Sequence, residues 1–579
     1  MKIYLIGNVY KEEQMKNNSY TILSIGPIYD SFMVADNTRA IWTVSFMFSY
    51  LMKETIRELY EEYKDKFLVP NVANEGFQQY LDDENYLRVG VFHDRLIIKE
   101  EKNESARDVN NAFQNAVGKL ADIVANVFRL TKEKDYTYVK IEVKEEEVKA
   151  YIKAYFQSYI ATVDVPKGKN PILELSKYMD AIEYQPSLLP YEEKEFMFLF
   201  FRLTNLGLLQ KTAFGKEAFD REKERCFKSL PEIAAWELLK DDITNWKDTL
   251  LCLTIDETKS LKDAIRDPNN EAKEIYETLK DKLDDKDRLK PYHKYVAIVH
   301  GDGDSFGKYL ERMEGDEAKI KKFTDNVFRF TTDARDAIRD YGGYPVIGSG
   351  EDLLFFAPVI DGRKNIFTLI HAIDKIFKNI FKDQTLSMSY GISISYYKFP
   401  LQESIKISQN ALWSHAKTTK WVNKDLDLLT LSEKQKEKLS SKNAIHINIQ
   451  KHSGQSHRLT IRKDTELYCQ FVKLLLQELS QKNSLYLPHA LHHSLDRVKT
   501  IVDEIPSSGV EHLFTNMFNE NIHKTKHKKA LKALQEILKL LKDSREDIHK
   551  LDKNNALASK PSEIIFSMLS TIKMLRGDR

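Results

Sequence analysis

At 579 residues the chain is long enough for about four domains, and 42% apolar residues can fill several cores. Lys+Arg 88 against Asp+Glu 87 leaves no global field to gather nucleic acid, so any such contact must come from local patches. Cys226, Cys252 and Cys469 form no C-x-x-C pair, which argues for a reducing compartment and against a cysteine zinc site. No apolar run reaches about 18 residues, and Met1–Gly7 is too short for a signal sequence, so a cytoplasmic protein with no membrane span is expected.

In chain order, Tyr20–Ile25 reads as a strand and Thr38–Tyr60 as a long helix. Tyr86–Phe92 and Leu96–Lys99 suggest a hairpin around His93-Asp94-Arg95. Val109, Phe113, Val117, Leu120, Val124, Val127 and Phe128 recur at helical spacing, and Tyr138–Val143 alternates like a closing strand. Residues 146–290 read as charged and helical, interrupted by Pro171, Pro186, Pro190, Pro231 and Pro268. A second β-α-β-β pattern starts near Tyr292. Val296–Val299 is its first strand, Lys319–Tyr341 its helix, and Tyr344–Ile347 with Leu353–Ala357 a hairpin. Helix Ile366–Phe381, strand Leu386–Tyr396, amphipathic segment Leu401–Lys420 and a last strand Ala444–Gln450 follow. Beyond 460 the chain reads as helical, with Leu531, Leu534, Ile537, Leu538 and Leu541 on one stripe. The expected class is α+β: two ferredoxin-like palm domains (1–145 and 291–460) with helical middle (146–290) and C-terminal (461–579) domains.

The chemistry concentrates in Val296-Ala-Ile-Val-His-Gly-Asp302-Gly-Asp304-Ser-Phe-Gly307 and Tyr344-Pro-Val-Ile-Gly-Ser-Gly350-Glu351-Asp352. A hairpin lying beside the first strand brings Asp302 and the Glu351/Asp352 pair to one end of the sheet. Carboxylates gathered there repel unless divalent cations neutralise them. Mg²⁺ takes such hard oxygen ligands together with substrate phosphates, and two metals can clamp the oxygens of a nucleotidyl transfer. Gly303 and Ser305, Phe306 and Gly307 would let backbone N–H groups approach a triphosphate. Taken alone, Gly301-Asp302-Gly303-Asp304 also fits an ordinary Asp-Gly turn.

These two segments resemble the cyclase/polymerase palm of the large subunit of type III CRISPR effector complexes. Ser24-Ile-Gly26-Pro27-Ile-Tyr-Asp-Ser-Phe32, continuing through Thr38-Arg-Ala-Ile-Trp42-Thr-Val-Ser45, is similar to the N-terminal signature of the Cmr (type III-B) version. The resemblance implies metal ligands at Asp302, Glu351 and Asp352, with Asp304 the less certain acid. It implies nucleotide contacts at Gly303, Asp304, Ser305, Phe306, Gly307, Ser349 and Gly350. Ser349 and Glu351 depart from the usual Gly-Gly-Asp-Asp hairpin, which puts the product in question more than the chemistry. Lys417 stands where related palms carry a phosphate-reaching lysine; Lys420 or a solvated helix lysine are the alternatives. Ser389-Tyr390-Gly391 matches a strand near the nucleotide, or is simply a glycine-containing core strand.

The resemblance further implies two Mg²⁺ or Mn²⁺ ions, ATP as substrate, guide and target RNA, and other Cmr subunits as partners. The expected product is a cyclic oligoadenylate-type messenger, or AMP joined to S-adenosylmethionine as in some members. An inactive structural subunit and a free-standing dinucleotide cyclase are the competing readings. The His93-Asp94 pair stands alone, so a version without the HD nuclease domain is expected. His489, His492 and His493 lack the partners of a zinc site, and no zinc is expected. His523–Lys529 is the densest basic run, a solvated helix start or a contact to RNA phosphates.

Overall fold

A computed structural model of the protein describes residues 18–82, 92–100, 104–133, 144–183, 229–239, 290–419, 442–480, 495–517, 525–551 and 560–577, apart from 36, 93 and 496. Two antiparallel-rich sheets organise it. The first is four-stranded, built from β1 (Asn18–Gly26), β2 (Phe67–Val69), β3 (Arg95–Lys99) and β4 (Gln157–Val165) in the order β2-β3-β1-β4. The second contains β5 (Tyr295–Asp304), β6 (Tyr344–Ser349), β7 (Asp352–Pro358), β10 (Ser387–Tyr396), β11 (Ala444–Gln450) and β12 (Ser456–Arg462). Its order is β12-β11-β10-β5-β7-β6, and β8 (Ile360–Asp361) with β9 (Lys364–Asn365) forms a separate small ribbon. In each sheet the first strand lies between the last and the third strand of a βαββαβ unit, the ferredoxin-like arrangement. The expected α+β class with two palm-like units is therefore what the chain forms.

Three elements differ from the sequence expectations. The expected strand Tyr138–Val143 lies outside the described residues. Within the segment read as helical, Gln157–Val165 is a strand that pairs with β1 from Asn18 to Gly26. Most of its side chains are only half-buried, so its alternation carries little apolar contrast. Beyond Ala444–Gln450 the sheet gains β12, antiparallel to β11. The turn His452-Ser453-Gly454-Gln455, with Gly454 at φ 84°, was the available hairpin signal. The expected helix Leu401–Lys420 is α-helical only over Leu401–Asn410 and continues as a π-helical turn, Ala411–Ala416.

The two palms share their interior. Leu23, Ile25, Val44 and Phe48 of the first palm belong to one buried cluster with Val296, Ile298, Val346 and Phe356 of the second. A second cluster joins Tyr20, Ile22 and Ile97 to Val299, Phe323 and Phe355. Polar bonds cross the same seam. Ser45 Oγ donates to the Val346 carbonyl at 2.5 Å, Tyr20 Oη to Glu317 at 2.7 Å, and Asn71 Nδ2 to Asp325 at 3.0 Å. Among the described residues no helix is long and apolar enough to cross a membrane.

Candidate active site

β5 is an apolar strand whose inner residues (Val296–Val299) are all buried, and it carries Asp302 and Asp304 at its C-terminal end. Antiparallel pairing sets Gly301 opposite Leu353 of β7, which brings Asp302 level with Asp352 and the β6–β7 turn. That turn is two residues long, since Ser349 pairs with Asp352. Gly350 takes a φ of 71° at its first position, where glycine is favoured, and Thr331 Oγ1 donates to its carbonyl at 3.0 Å. Gly350 is thus the turn position that demands a positive φ, and Ser349 can replace a glycine without backbone strain.

Burial raises the Asp302 carboxyl pKa although Lys417 opposes the shift, and Asp304 adds to it. Burial and the Asp302 charge raise Glu351; Asp352 is raised by the protein packed around it, then by Glu351, Asp302 and Asp94, but it is exposed and solvent screens that shift. Asp94 was read at sequence level only as the neighbour of His93. It sits at the start of β3, where its carbonyl accepts from Ile25 N at 3.0 Å, and His93 lies outside the described residues.

Lys417 lies among the acids. Its Nζ contacts Asp302 Oδ2, lies 3.3 Å from the Gly303 carbonyl and 3.7 Å from Asp304 Oδ1, and sits 4.8 Å above the Trp413 ring. Lys420 lies outside the described residues. Asp304 is 1% exposed; its Oδ2 accepts from Ser387 Oγ (2.7 Å), Ser389 Oγ (2.8 Å) and Asn443 N (2.9 Å), while Oδ1 has no hydrogen-bond partner.

The glycine-bearing loop serves packing as well as access. A Cβ on Gly303 would meet the Phe306 ring at 1.9 Å, and Phe306 packs edge-on against Phe323, Phe377 and Phe381 in the core. Any nucleotide contact at Phe306 therefore falls to its backbone. Ser305 adopts a left-handed φ of 69° ahead of helix Phe306–Glu311, and a Cβ on Gly307 would face open space. Gly391 is a packing glycine: a Cβ there would strike Ser408 O at 2.2 Å and Leu412 N at 2.3 Å.

Sequence reasoning missed His300, whose Nδ1 pairs with Ser408 Oγ at 2.8 Å and whose pKa burial pushes down to about 4. It also missed the cavity beside the acids, about 420 Å³ in volume, the size of a ligand pocket. Ile28, Phe32, Ser45 and Phe48 line it from the first palm, and His300, Asp352, Gln402 and Trp413 from the second. Gln402 Nε2 donates to the Phe32 carbonyl at 2.7 Å and to that of Ala35, closing the rim. The N-terminal signature and the acidic motifs, about 270 residues apart in sequence, thus face one cavity.

Among the described residues no three His, Cys, Asp or Glu side chains already surround a point that could hold an ion. The donor set nonetheless fits a hard divalent cation. It consists of carboxylate oxygens, and the Asp302 charge raises the pKa of both Glu351 and Asp352.

Residues 295–425 match the family model for the Cas10/Cmr2 second palm domain, and residues 20–122 match that for the CRISPR-associated protein Cmr2 N-terminal region. No curated protein sequence matches the chain. A chain in the cryo-EM structure of type III-B Cmr-beta in the apo state is similar at TM-score 0.57 and 11% identity, covering 97% of this chain and 82% of that one. A chain in Cmr-beta bound to cognate target RNA is similar at TM-score 0.54 and 10% identity, covering 98% and 84%.

Proposed function

Because the chain belongs to the Cas10/Cmr2 family of type III CRISPR large subunits, we propose that it is the catalytic subunit of a type III-B effector. In this reading target RNA bound to the complex turns on ATP-dependent nucleotidyl transfer, which makes a nucleotide second messenger. The observation that carries it is the meeting of Asp302, Glu351, Asp352 and Lys417 beside a cavity lined by both palms. The partners are ATP, guide and target RNA, and other Cmr subunits.

A ribose hydroxyl of the acceptor attacks the α-phosphate of ATP, the new phosphodiester forms, and pyrophosphate leaves. Two Mg²⁺ or Mn²⁺ ions held by Asp302, Glu351 and Asp352 would stabilise the charge that develops on the phosphate oxygens. The chain's own residues do the positioning. Lys417 supplies a cation beside the phosphates, Gly303, Asp304, Ser305 and Gly307 shape the loop they rest on, and Ser349 and Gly350 hold the acidic turn. The inter-palm cavity holds the acceptor, with the exposed Trp413 ring at its lining as a stacking surface.

Cyclic oligoadenylate is the first expected product. One observation favours a second reading. The cavity lining is mainly apolar, its carboxylates are Asp94 and Asp352, and its one lysine, Lys406, already pairs with Glu403 at 3.4 Å. A second triphosphate is poorly matched to such a wall, whereas S-adenosylmethionine carries a sulfonium cation and an adenosine hydroxyl. The test incubates the assembled, guide-loaded complex and matching RNA with labelled ATP, with and without S-adenosylmethionine, and identifies products by mass. Asp302→Ala should lower product by about 10²-fold or more, the equivalent of several kcal/mol of lost charge stabilisation. Equal yields from wild type and Asp302→Ala would leave only a structural subunit.

A further inference from the structure

Lys417 and Asp304 form an arrangement that a phosphate-binding lysine alone does not require. The ammonium has three protons to donate. It spends one on Asp302 Oδ2, and the Gly303 carbonyl at 3.3 Å is a weak second acceptor. The third neighbour, Asp304 Oδ1, is 3.7 Å away, too far for a hydrogen bond. That oxygen is buried and has no hydrogen-bond partner, although leaving a buried acceptor unsatisfied is costly. Its sister oxygen is saturated by Ser387, Ser389 and the Asn443 amide, so the carboxylate cannot turn to find another donor.

Resting on the metal-dependent reading above, we propose that Lys417 is a tethered counter-ion with two seats. With no divalent cation bound, its ammonium neutralises Asp302. When a cation takes Asp302, the ammonium moves about 1 Å and docks on Asp304 Oδ1 at the distance of a charge-assisted hydrogen bond. Asp304 is then a positioning residue that receives the lysine and is itself no metal ligand.

The geometry suits this exchange. The Lys417 backbone is held, its N–H donating to the Leu412 carbonyl at 3.0 Å at the end of the π-helical turn. A flexible four-carbon stem can shift the charge while that backbone stays still. The Trp413 face, 4.8 Å from the ammonium, borders it in the present seat. The exchange keeps the lysine's positive charge among Asp302, Asp304, Glu351 and Asp352 both with and without the cation. It also releases Asp302 only to a ligand that replaces the lost charge.

The test measures Mn²⁺ binding to the full chain without nucleotide, from the electron paramagnetic resonance signal of free Mn²⁺. Wild type, Lys417→Met, Asp304→Asn and the double variant form a cycle, and Asp302→Asn identifies the site. Asn at 304 can still accept from the same three donors, and thermal melting checks that each variant folds. Lys417→Met should bind Mn²⁺ about tenfold more tightly, since a charged hydrogen bond no longer competes for Asp302. Asp304→Asn should weaken binding about tenfold when Lys417 is present and less than about threefold when it is Met. Equal Asp304→Asn effects in both backgrounds would make Asp304 a ligand or a remote charge and overturn the proposal. So would Lys417→Met binding no more tightly than wild type. Wild type showing no Mn²⁺ binding that Asp302→Asn removes would overturn the metal-dependent reading itself, and this proposal with it.

Discussion

Burial pushes both Asp302 and Glu351 toward the protonated form, with the Asp304 charge adding to the first and the Asp302 charge to the second. A carboxyl with a raised folded pKa contributes full stability only below the ordinary carboxylate range, about pH 4. That contribution is lost as pH rises through the folded value, because the unfolded chain ionises more easily. The site therefore weakens the fold at neutral pH in order to hold charge. Glu351→Gln should melt at a higher temperature than wild type at pH 7 to 8 without divalent ions, with the gap closing toward about pH 4. The same variant should lose about 10²-fold or more in product formation. Melting curves across pH, with and without Mg²⁺, check this; a lower melting temperature for Glu351→Gln at neutral pH would contradict it. Of the residue-level reading, the gathering of the acids was legible because charged residues at the end of an apolar strand need an explanation, whereas Lys417 was singled out only by resemblance, with Lys420 as an alternative. Asp94 was not, since only folding carries it from the start of β3 to within electrostatic reach of the acidic turn.

At the scale of elements, the junction between helix Leu401–Asn410 and the π-helical turn Ala411–Ala416 sets where Lys417 points. A regular helix would carry Lys417 round by a different angle, and a single π turn is a common way to re-aim a functional side chain. The turn lies directly on β10. Gly391 lets the backbone of Ser408 and Leu412 approach closely, and His415 stacks on His446 of β11 at 4.2 Å between ring centroids. Gly391→Ala should therefore cost about 1–3 kcal/mol by overpacking. It should also lower product formation more than the stability loss explains, because Lys417 is displaced from Asp302. Comparing melting temperature with rate at a temperature where the variant is fully folded separates the two effects. A variant with wild-type rate there would show that the turn's seat on β10 does not aim Lys417. The π turn left no trace in the amphipathic pattern of Leu401–Lys420, since period 3.6 fits the segment well enough on either side of one widened turn.

For the whole molecule, the shared interior limits how RNA could act. Separating the palms would expose Val296, Ile298, Val346 and Phe356 together with Leu23, Ile25, Val44 and Phe48. At about 1.5–3 kcal/mol for each large buried side chain, that exceeds what a binding event usually supplies. Activation by bound target RNA is therefore expected to work on smaller elements at the cavity rim, such as helix Ile28–Val34 with its Gln402 clasp, while the palms stay joined. The isolated chain should turn over ATP at least about tenfold more slowly than the guide-loaded complex with matching RNA, a difference that a displacement of about 1 Å at the site can produce. Product per minute from the chain, the complex, and the complex with RNA measures this, and equal rates would remove RNA from the control of this site.

What the sequence determined by itself was local and repetitive. The strand-end acids, the acidic hairpin and the βαββαβ order are each written in a stretch short enough for alternation and turn residues to declare it. What only the tertiary structure decided was juxtaposition across distance. The pairing of β4 with β1 depends on a strand with little apolar contrast, which pairing energy rather than pattern selects. The cavity is lined by Ile28, Phe32, Ser45 and Ser49 on one side and by Gly301, Leu353 and Gln402 on the other, segments more than 200 residues apart. The two seats offered to Lys417 arise because β10 and the Asn443 amide saturate one oxygen of Asp304 and leave the other facing the ammonium, a distinction between two atoms of one side chain that no sequence pattern encodes.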